Sequence, residues 1–287
     1  LRMFALYLFF YPTCTVYHHT HSFPTRRSSD LVYNERNKSN YKNIMWFRSL
    51  KSEIRYFIRT RKFIRFMRMC FKLLLLVFIM DTGYLIGIWP NWQLYQEGPI
   101  QQSNFIRHYI TEQYRHRDWP DLQWKQAPIK KISNNMVRAL VVAEDAGFYS
   151  HSGIDLEALQ AAMEYNLSEQ RFVYGGSTIS QQTVKNIFLS SSKNPLRKWH
   201  ELVLTIGMER NLTKKRILEL YLNVAEFGRG IYGVEAAARH YWGVPASELS
   251  TKQAIQLAAT LPAPVNHNPV TKTKFYKNRV KKISRYF

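Results

Sequence analysis

The stretch Leu212-Thr213-Lys214-Lys215-Arg216-Ile217-Leu218-Glu219-Leu220-Tyr221-Leu222-Asn223-Val224 reads as one capped, amphipathic helix. Thr213 stands where a hydroxyl can accept from the unpaired N–H groups of a first helical turn. Leu212 and Ile217 flank it at the spacing of a hydrophobic staple. Ile217, Leu220, Tyr221 and Val224 then recur at i, i+3, i+4 and i+7, the period of a helix burying one face. Upstream, Ser133 or Asn134 is placed to cap a second helix running through Met136, Leu140 and Ala143. The helical pattern holds almost throughout from Ser133, with no strong strand alternation and no repeat. A mostly α domain over residues 129–287 is therefore expected.

Moving outward, residues 90–128 are rich in Gln, Trp, Tyr and Arg with weak periodicity and read as a juxtamembrane link. Residues 71–89 include Leu73-Leu74-Leu75-Leu76-Val77-Phe78-Ile79-Met80 and have about the length of a membrane-spanning helix. Asp81 stands against that reading, since a charge at mid-bilayer costs about 2.5–3.5 kcal/mol on insertion scales. Basic residues (Arg55, Arg59, Arg61, Lys62, Arg65, Arg68 and Lys72) gather on its N-terminal side. The positive-inside rule then places residues 32–70 in the cytoplasm and everything after Trp89 outside. Residues 1–31 start at Leu1, not Met, and contain Ser22-Phe23-Pro24-Thr25-Arg26-Arg27-Ser28-Ser29-Asp30, which resembles translated adaptor sequence. They are expected to be non-native, which also sets aside a metal reading of His18, His19 and His21 beside Cys14.

Across 287 residues, 46% are hydrophobic and 21% charged, a globular composition that excludes general disorder. The formal net charge is +21, and both halves share it: residues 1–90 hold 15 Lys/Arg against 4 Asp/Glu. An anionic partner is implied, whether membrane phosphate, nucleic acid or a pyrophosphate substrate. Both cysteines, Cys14 and Cys70, precede residue 91, so the later chain has neither a disulfide framework nor a Cys-based zinc site.

Three blocks carry candidate chemistry. In the first, Glu144-Asp145-Ala146-Gly147-Phe148-Tyr149-Ser150-His151-Ser152-Gly153-Ile154-Asp155, adjacent carboxylates stand where an apolar helix yields to a glycine-containing turn. A carboxyl beside low-dielectric surface has a raised pKa and suits acid–base work, although solvated acids at a helix end would look the same. In the second, Gly175-Gly176-Ser177-Thr178-Ile179-Ser180-Gln181-Gln182-Thr183-Val184-Lys185-Asn186, a loop enters a helix N-terminus. Thr178, Gln181, Gln182 and Lys185 share one polar face, fit for a sugar or phosphate or simply wet. In the third, Arg197-Lys198-Trp199-His200-Glu201, Arg197 and Glu201 are spaced as an i, i+4 ion pair, so a surface pair and a donor-site carboxylate are both open readings. Ser190-Ser191-Ser192-Lys193 matches a Ser-x-x-Lys motif without its partner motifs.

The order and spacing of these blocks resemble the family 51 glycosyltransferases, the peptidoglycan polymerases. The resemblance continues through Lys215-x-Ile217-Leu218-Glu219-x-Tyr221-Leu222-Asn223, Gly233-x-x-x-Ala237-Ala238-x-x-Tyr241-x-Gly243 and Leu257-Ala258-Ala259-x-Leu261-Pro262. It covers about residues 130–270 and is nearest the monofunctional biosynthetic type. It implies a lysozyme-like, mostly α glycosyltransferase domain with a partly hydrophobic, membrane-embedded lower part, preceded here by one N-terminal transmembrane helix.

The implied reaction joins a growing glycan on undecaprenyl pyrophosphate to the 4-hydroxyl of lipid II, making a β-1,4 bond with inversion. By motif position Glu144 is the base and Glu201 the second catalytic carboxylate. Lys185, Arg197 and Lys198 would stabilise the departing pyrophosphate. Ser177, Thr178, Gln181, Gln182, Asn186 and Phe148 would line the substrate, with Asp145 and His151, also on the substrate side, mainly holding the adjoining loop. Two departures appear: Ser180 where Thr is usual, and Lys193 as the nearest cation where an Arg often helps the donor site, which costs fork geometry.

No cofactor is evident, and a divalent cation is compatible with the pattern. Expected partners are lipid II, the growing glycan, membrane lipids and the cell-wall synthesis machinery, at the bacterial inner membrane with a periplasmic catalytic domain. Three rival readings are weaker: a nucleic-acid or membrane binder, which the ordered motifs disfavour; a lytic muramidase-like enzyme, which the cations disfavour; and a fragment of a bifunctional penicillin-binding protein, since the sequence shows no transpeptidase domain.

Overall fold

The computed structural model describes residues 45–46, 48–56, 61–170, 175–192 and 194–287. The expectations for residues 1–31, for the His18/His19/His21 tract and for Lys193 lie outside them. The chain divides into two compact units between Ile79 and Met80.

Helix α1 runs Arg61–Gly87 and has no buried residue. It starts ten residues before the expected span, because the Arg and Lys of 61–72 are themselves good helix formers. Its apolar side chains are broadly exposed, Phe71, Leu74 and Phe78 each by about two thirds. Among the described residues no helix is long and apolar enough to cross a membrane. The expected transmembrane helix over 71–89 is therefore present as a helix and not as a complete apolar span, since Lys72 and Asp81 interrupt it.

The second unit is mostly helical. The stretch expected to be a link is part of it: one helical turn at Gln93–Gln96 and helix α2, Asn104–Arg115, precede strand β1, Gln123–Trp124. Trp92, Tyr95 and Ile100 are buried in the main core, while Ile106, Tyr109 and Tyr232 form a smaller cluster. Its periodicity was weak because short elements each bury only one or two side chains.

Helix α3 (Asn134–Glu144) is capped by Ser133, α4 (Leu156–Ser168) by Asp155, and α5 (Ile179–Phe188) by Thr178. Helix α6 (Pro195–Asn211) takes Asn194 as its cap with Pro at its first position. Helix α7 (Lys214–Val224) begins as its staple requires: Thr213 accepts from Arg216 N, and Leu212 and Ile217 both enter the core. After it come β2 (Glu226–Gly228), β3 (Ile231–Tyr232), α8 (Val234–Trp242), α9 (Thr251–Thr260) and α10 (Lys274–Ser284).

Packing is built around α5, which contacts α2, α6 and α7, while α3 lies along α9 and α10 touches both. Small residues in α8 and α9, Ala236–Ala238 and Ala258–Ala259, are all buried and let these helices approach closely. A small three-stranded sheet joins the helices, ordered β1-β3-β2, with β1 parallel and β2 antiparallel to β3. Strands of two or three residues leave no alternation to read.

Asn223 fastens this sheet side to α7. It is fully buried; its Oδ1 accepts from Ala127 N at 2.8 Å, and its Nδ2 donates to Ala127 O and Glu219 O. Asn223→Ala would leave Ala127's amide and carbonyl buried without partners. We expect a loss of about 2–3 kcal/mol in unfolding free energy, read by denaturant melts of the detergent-purified protein.

Candidate active site

Glu144 ends α3, where the chain must leave the helix for the turn at Gly147. Its side chain is only 10% exposed. Gln182, from α5, donates through Nε2 to Glu144 Oε2 at 2.9 Å, and Tyr221, from α7, donates its hydroxyl to Gln182 Oε1 at 2.9 Å. Arg279, from α10, donates through Nη2 to Glu144 Oε1 at 2.5 Å and to Ala143 O at 3.2 Å. Burial pushes the Glu144 carboxyl above the usual carboxylate range, against the opposing pull of Arg279 and the Gln182 hydrogen bond. Burial likewise lifts Tyr221 well above its ordinary value, so its hydroxyl stays a donor.

A cavity of about 420 Å³ opens on Glu144, Ser177, Gln182, Arg279 and Lys282. Ser177 links it to a second group of charges. Lys198 donates to Ser177 Oγ at 3.0 Å and pairs with Glu201, which also receives Arg197 Nη1 at 2.7 Å. The Glu201 side chain is 3% exposed, so the solvated i, i+4 pair open on sequence grounds is excluded. A buried carboxylate between two cations pre-sets both side chains instead. Lys185 stands within the fields of both groups. Burial pulls its pKa down, Glu201 opposes that, Arg197 and Lys198 add to it, and Glu144 opposes it. Lys185 and Asn186 also line a smaller cavity of about 160 Å³ beside Gln182 and Glu226.

Several residues expected at the substrate are already engaged within the protein. Phe148 is fully buried with the Lys214 ammonium over its ring, so it is core. Gln181 is 3% exposed because it closes a capping box, its Oε1 accepting from Thr178 N while Thr178 Oγ1 accepts from Gln181 N. Thr178 also donates to Gly153 O at 2.6 Å, which uses up the hydroxyl. The helical wheel put Gln181 beside Gln182 on a wet face; the capping box turns it inward. Buried Asp145 accepts from Ile179 N at 2.9 Å and from His151 Nε2 at 3.0 Å, and His151 Nδ1 accepts from Gly153 N. Asp145 and His151 thus brace the loop after α3 against the N-terminus of α5.

Asp145, His151 and Asp155 bring ligand-type atoms within 4.8 Å of one another. Both His151 nitrogens and the Asp145 carboxylate are already committed, and Asp155 caps α4 through Ala158 N. In this arrangement all three serve as hydrogen-bonding supports of the loop and of the starts of α4 and α5.

Sequence reasoning missed four residues. Arg279 lay in a basic tail whose charges look alike until α10 packs on α3. Tyr221 stands in the helical period and in a matching motif, neither of which shows its hydroxyl on Gln182. Glu226, which burial raises to about 7, sits in a strand too short to notice. Asp81 was read as a penalty, yet it pairs with His200 on α6.

The comparisons agree with this geometry. A family described as Transglycosylase matches residues 111–286. A protein named biosynthetic peptidoglycan transglycosylase from Chromobacterium violaceum is 42% identical over 200 residues, 69% of this chain and 86% of that one. Proteins of the same name from Thiobacillus denitrificans and Nitrosospira multiformis are 46% identical over 175 residues (61% and 75% of the two chains) and 50% over 143 (50% and 62%). With the family match spanning more than half of its residues, and with a buried acid and a cationic group set on either side of Ser177, the chain belongs to the transglycosylase family.

Proposed function

We propose that this chain is a peptidoglycan glycosyltransferase that polymerises lipid II, lengthening a glycan carried on undecaprenyl pyrophosphate. The observation that carries the reading is the environment of Glu144: a nearly buried carboxyl with a raised pKa, aimed by Gln182 and Arg279, on a cavity whose Ser177 wall is bonded to Lys198. In this reading Glu144 takes the proton from the acceptor 4-hydroxyl as that oxygen attacks the anomeric carbon of the donor sugar. The new C–O bond forms on the face opposite the departing pyrophosphate, which accounts for inversion. Lys185, Arg197 and Lys198 receive the negative charge that develops on the leaving oxygen. Glu201 takes no proton in this scheme; it fixes the two cations on α6.

Membrane attachment belongs to the same reading. The exposed apolar residues of α1 follow a basic segment, an arrangement that favours insertion with the N-terminus in the cytoplasm and the domain in the periplasm. Incubating the detergent-purified full chain with labelled lipid II tests the activity. Long glycan strands and released undecaprenyl pyrophosphate are expected; hydrolysis of preformed glycan without polymer growth would instead favour a muramidase. Recovery of the chain in the soluble fraction after gentle lysis would overturn the attachment.

A further inference from the structure

Asp81 interrupts the apolar run of α1, and no role in the chemistry above accounts for it. It lies just inside the second unit, which begins at Met80. Both of its carboxylate oxygens are engaged by consecutive residues of one helix: Oδ1 meets His200 Nε2 at 2.6 Å, and Oδ2 accepts from Trp199 Nε1 at 3.1 Å. The His200–Asp81 pair is largely shielded, the side chains being 10% and 19% exposed, and the Tyr84 ring lies 4.8 Å from that of His200. Two turns further along α6, Trp89 and Trp92 press on Gly207. A Cβ there would stand 2.8 Å from Trp92 Cζ2 and 2.9 Å from Trp89 Cη2.

The end of α1 and the residues after it therefore grip α6 at two points, residues 199–200 and residue 207. Two contacts separated along a helix fix both its rotation and its axial position, which one contact would not. The gripped turn is the one that carries Arg197, Lys198 and Glu201. Trp199 and His200 are the residues between Lys198 and Glu201, so any rotation that Asp81 prevents at 199–200 would also carry the cations away from Ser177. A shared electrostatic partner would have to be long-ranged to do the same; here the coupling is through one rigid helical turn.

We infer that Asp81 is a positioning residue for the pyrophosphate-binding turn of α6, making the C-terminal end of the anchor helix part of the active-site framework and not only a tether. The inference rests on the glycosyltransferase reading above. Asp81 touches no substrate; it acts through His200 and Trp199. It also gives the charge a reason to interrupt an apolar helix, since its cost is offset by two hydrogen bonds, one of them to the largely shielded His200.

The test is a double-mutant cycle in the full-length, detergent-purified chain, with lipid II polymerisation as the readout. Asp81→Leu, which removes both acceptors, is expected to lower kcat/KM about tenfold, as misplacement of catalytic groups does. In an Arg197→Ala/Lys198→Ala background the same change is expected to cost less than about twofold, because both cations it positions are gone. Asp81→Asn keeps one acceptor and should fall between parent and Asp81→Leu, with a melting temperature close to the parent's. Equal losses in both backgrounds would reduce Asp81 to a purely structural pair and overturn the inference, as would full activity in Asp81→Leu. A parent that binds lipid II without polymerising it overturns the glycosyltransferase reading itself, which is a different result.

Discussion

Glu144→Gln is expected to abolish glycan synthesis, lowering kcat by about 10²–10⁴-fold, the range of a lost general base. Gln keeps the shape and one acceptor toward Arg279 but cannot take the proton of an attacking hydroxyl. Lipid II binding should persist, so the loss belongs in kcat. The pH dependence follows from the same burial. The base must be ionised, and its pKa lies above the ordinary carboxylate range, chiefly through desolvation. Activity should therefore rise with pH along a limb displaced to the alkaline side of a free glutamate. Arg279→Met removes the largest opposing influence and should move that limb higher still.

The sign for stability is opposite to that for activity. A carboxyl whose folded pKa is raised contributes stability that is fully present below its unfolded value and is lost as pH rises through the folded value. At neutral pH the parent therefore bears the cost of an ionised, buried Glu144, and Glu144→Gln does not. The inactive variant should melt at the same temperature as the parent or above it at neutral pH, with the gap closing as the pH falls toward 4. A variant that is inactive and much less stable would attribute the loss to unfolding and leave no case for a base.

Lys185→Met should be the second most damaging change, costing about 10²–10³-fold in kcat/KM, as removal of one preorganised charge from a transition state does. Lys185 holds a proton in a buried position, and burial lowers its pKa ahead of the opposing field of Glu201. The alkaline limb of the pH profile should accordingly begin below the range of a free lysine. Lys185→Arg should restore part of the rate, because charge is retained while the compact ammonium geometry is lost. A loss below about fivefold in Lys185→Met would show that the leaving group is not stabilised there.

How much of this was legible in the chain depends on how local each feature is. Thr213 and Leu212 with Ile217 marked the start of α7 because a cap and a staple are made within six residues. The Gly175–Lys185 block likewise announced a loop entering α5. Glu144, Gln182, Lys185, Arg197 and Glu201 could be singled out because their motif spacing is itself sequence information, whereas their state could not. Glu201 could equally have been solvated, and only the packing of α6 shows it 3% exposed between two cations. Gln181 and Gln182 are neighbours of the same type, and one seals a helix end while the other holds the Glu144 carboxylate.

The sequence by itself therefore determined the capped starts of α3 and α7 and the mostly α class, which follow from patterns a few residues long, and it offered the candidate reactive groups through motif spacing. Only the tertiary structure decided which of those groups stay available, because that depends on partners far along the chain. Arg279 reaches Glu144 across 135 residues, Asp81 reaches His200 across 119, and Asn223 ties down Ala127 across 96. A charge in a helix has the same local cost whether or not a distant helix supplies its counterpart. Burial and pairing, which set pKa values and fix side chains, exist only once those distant segments have packed.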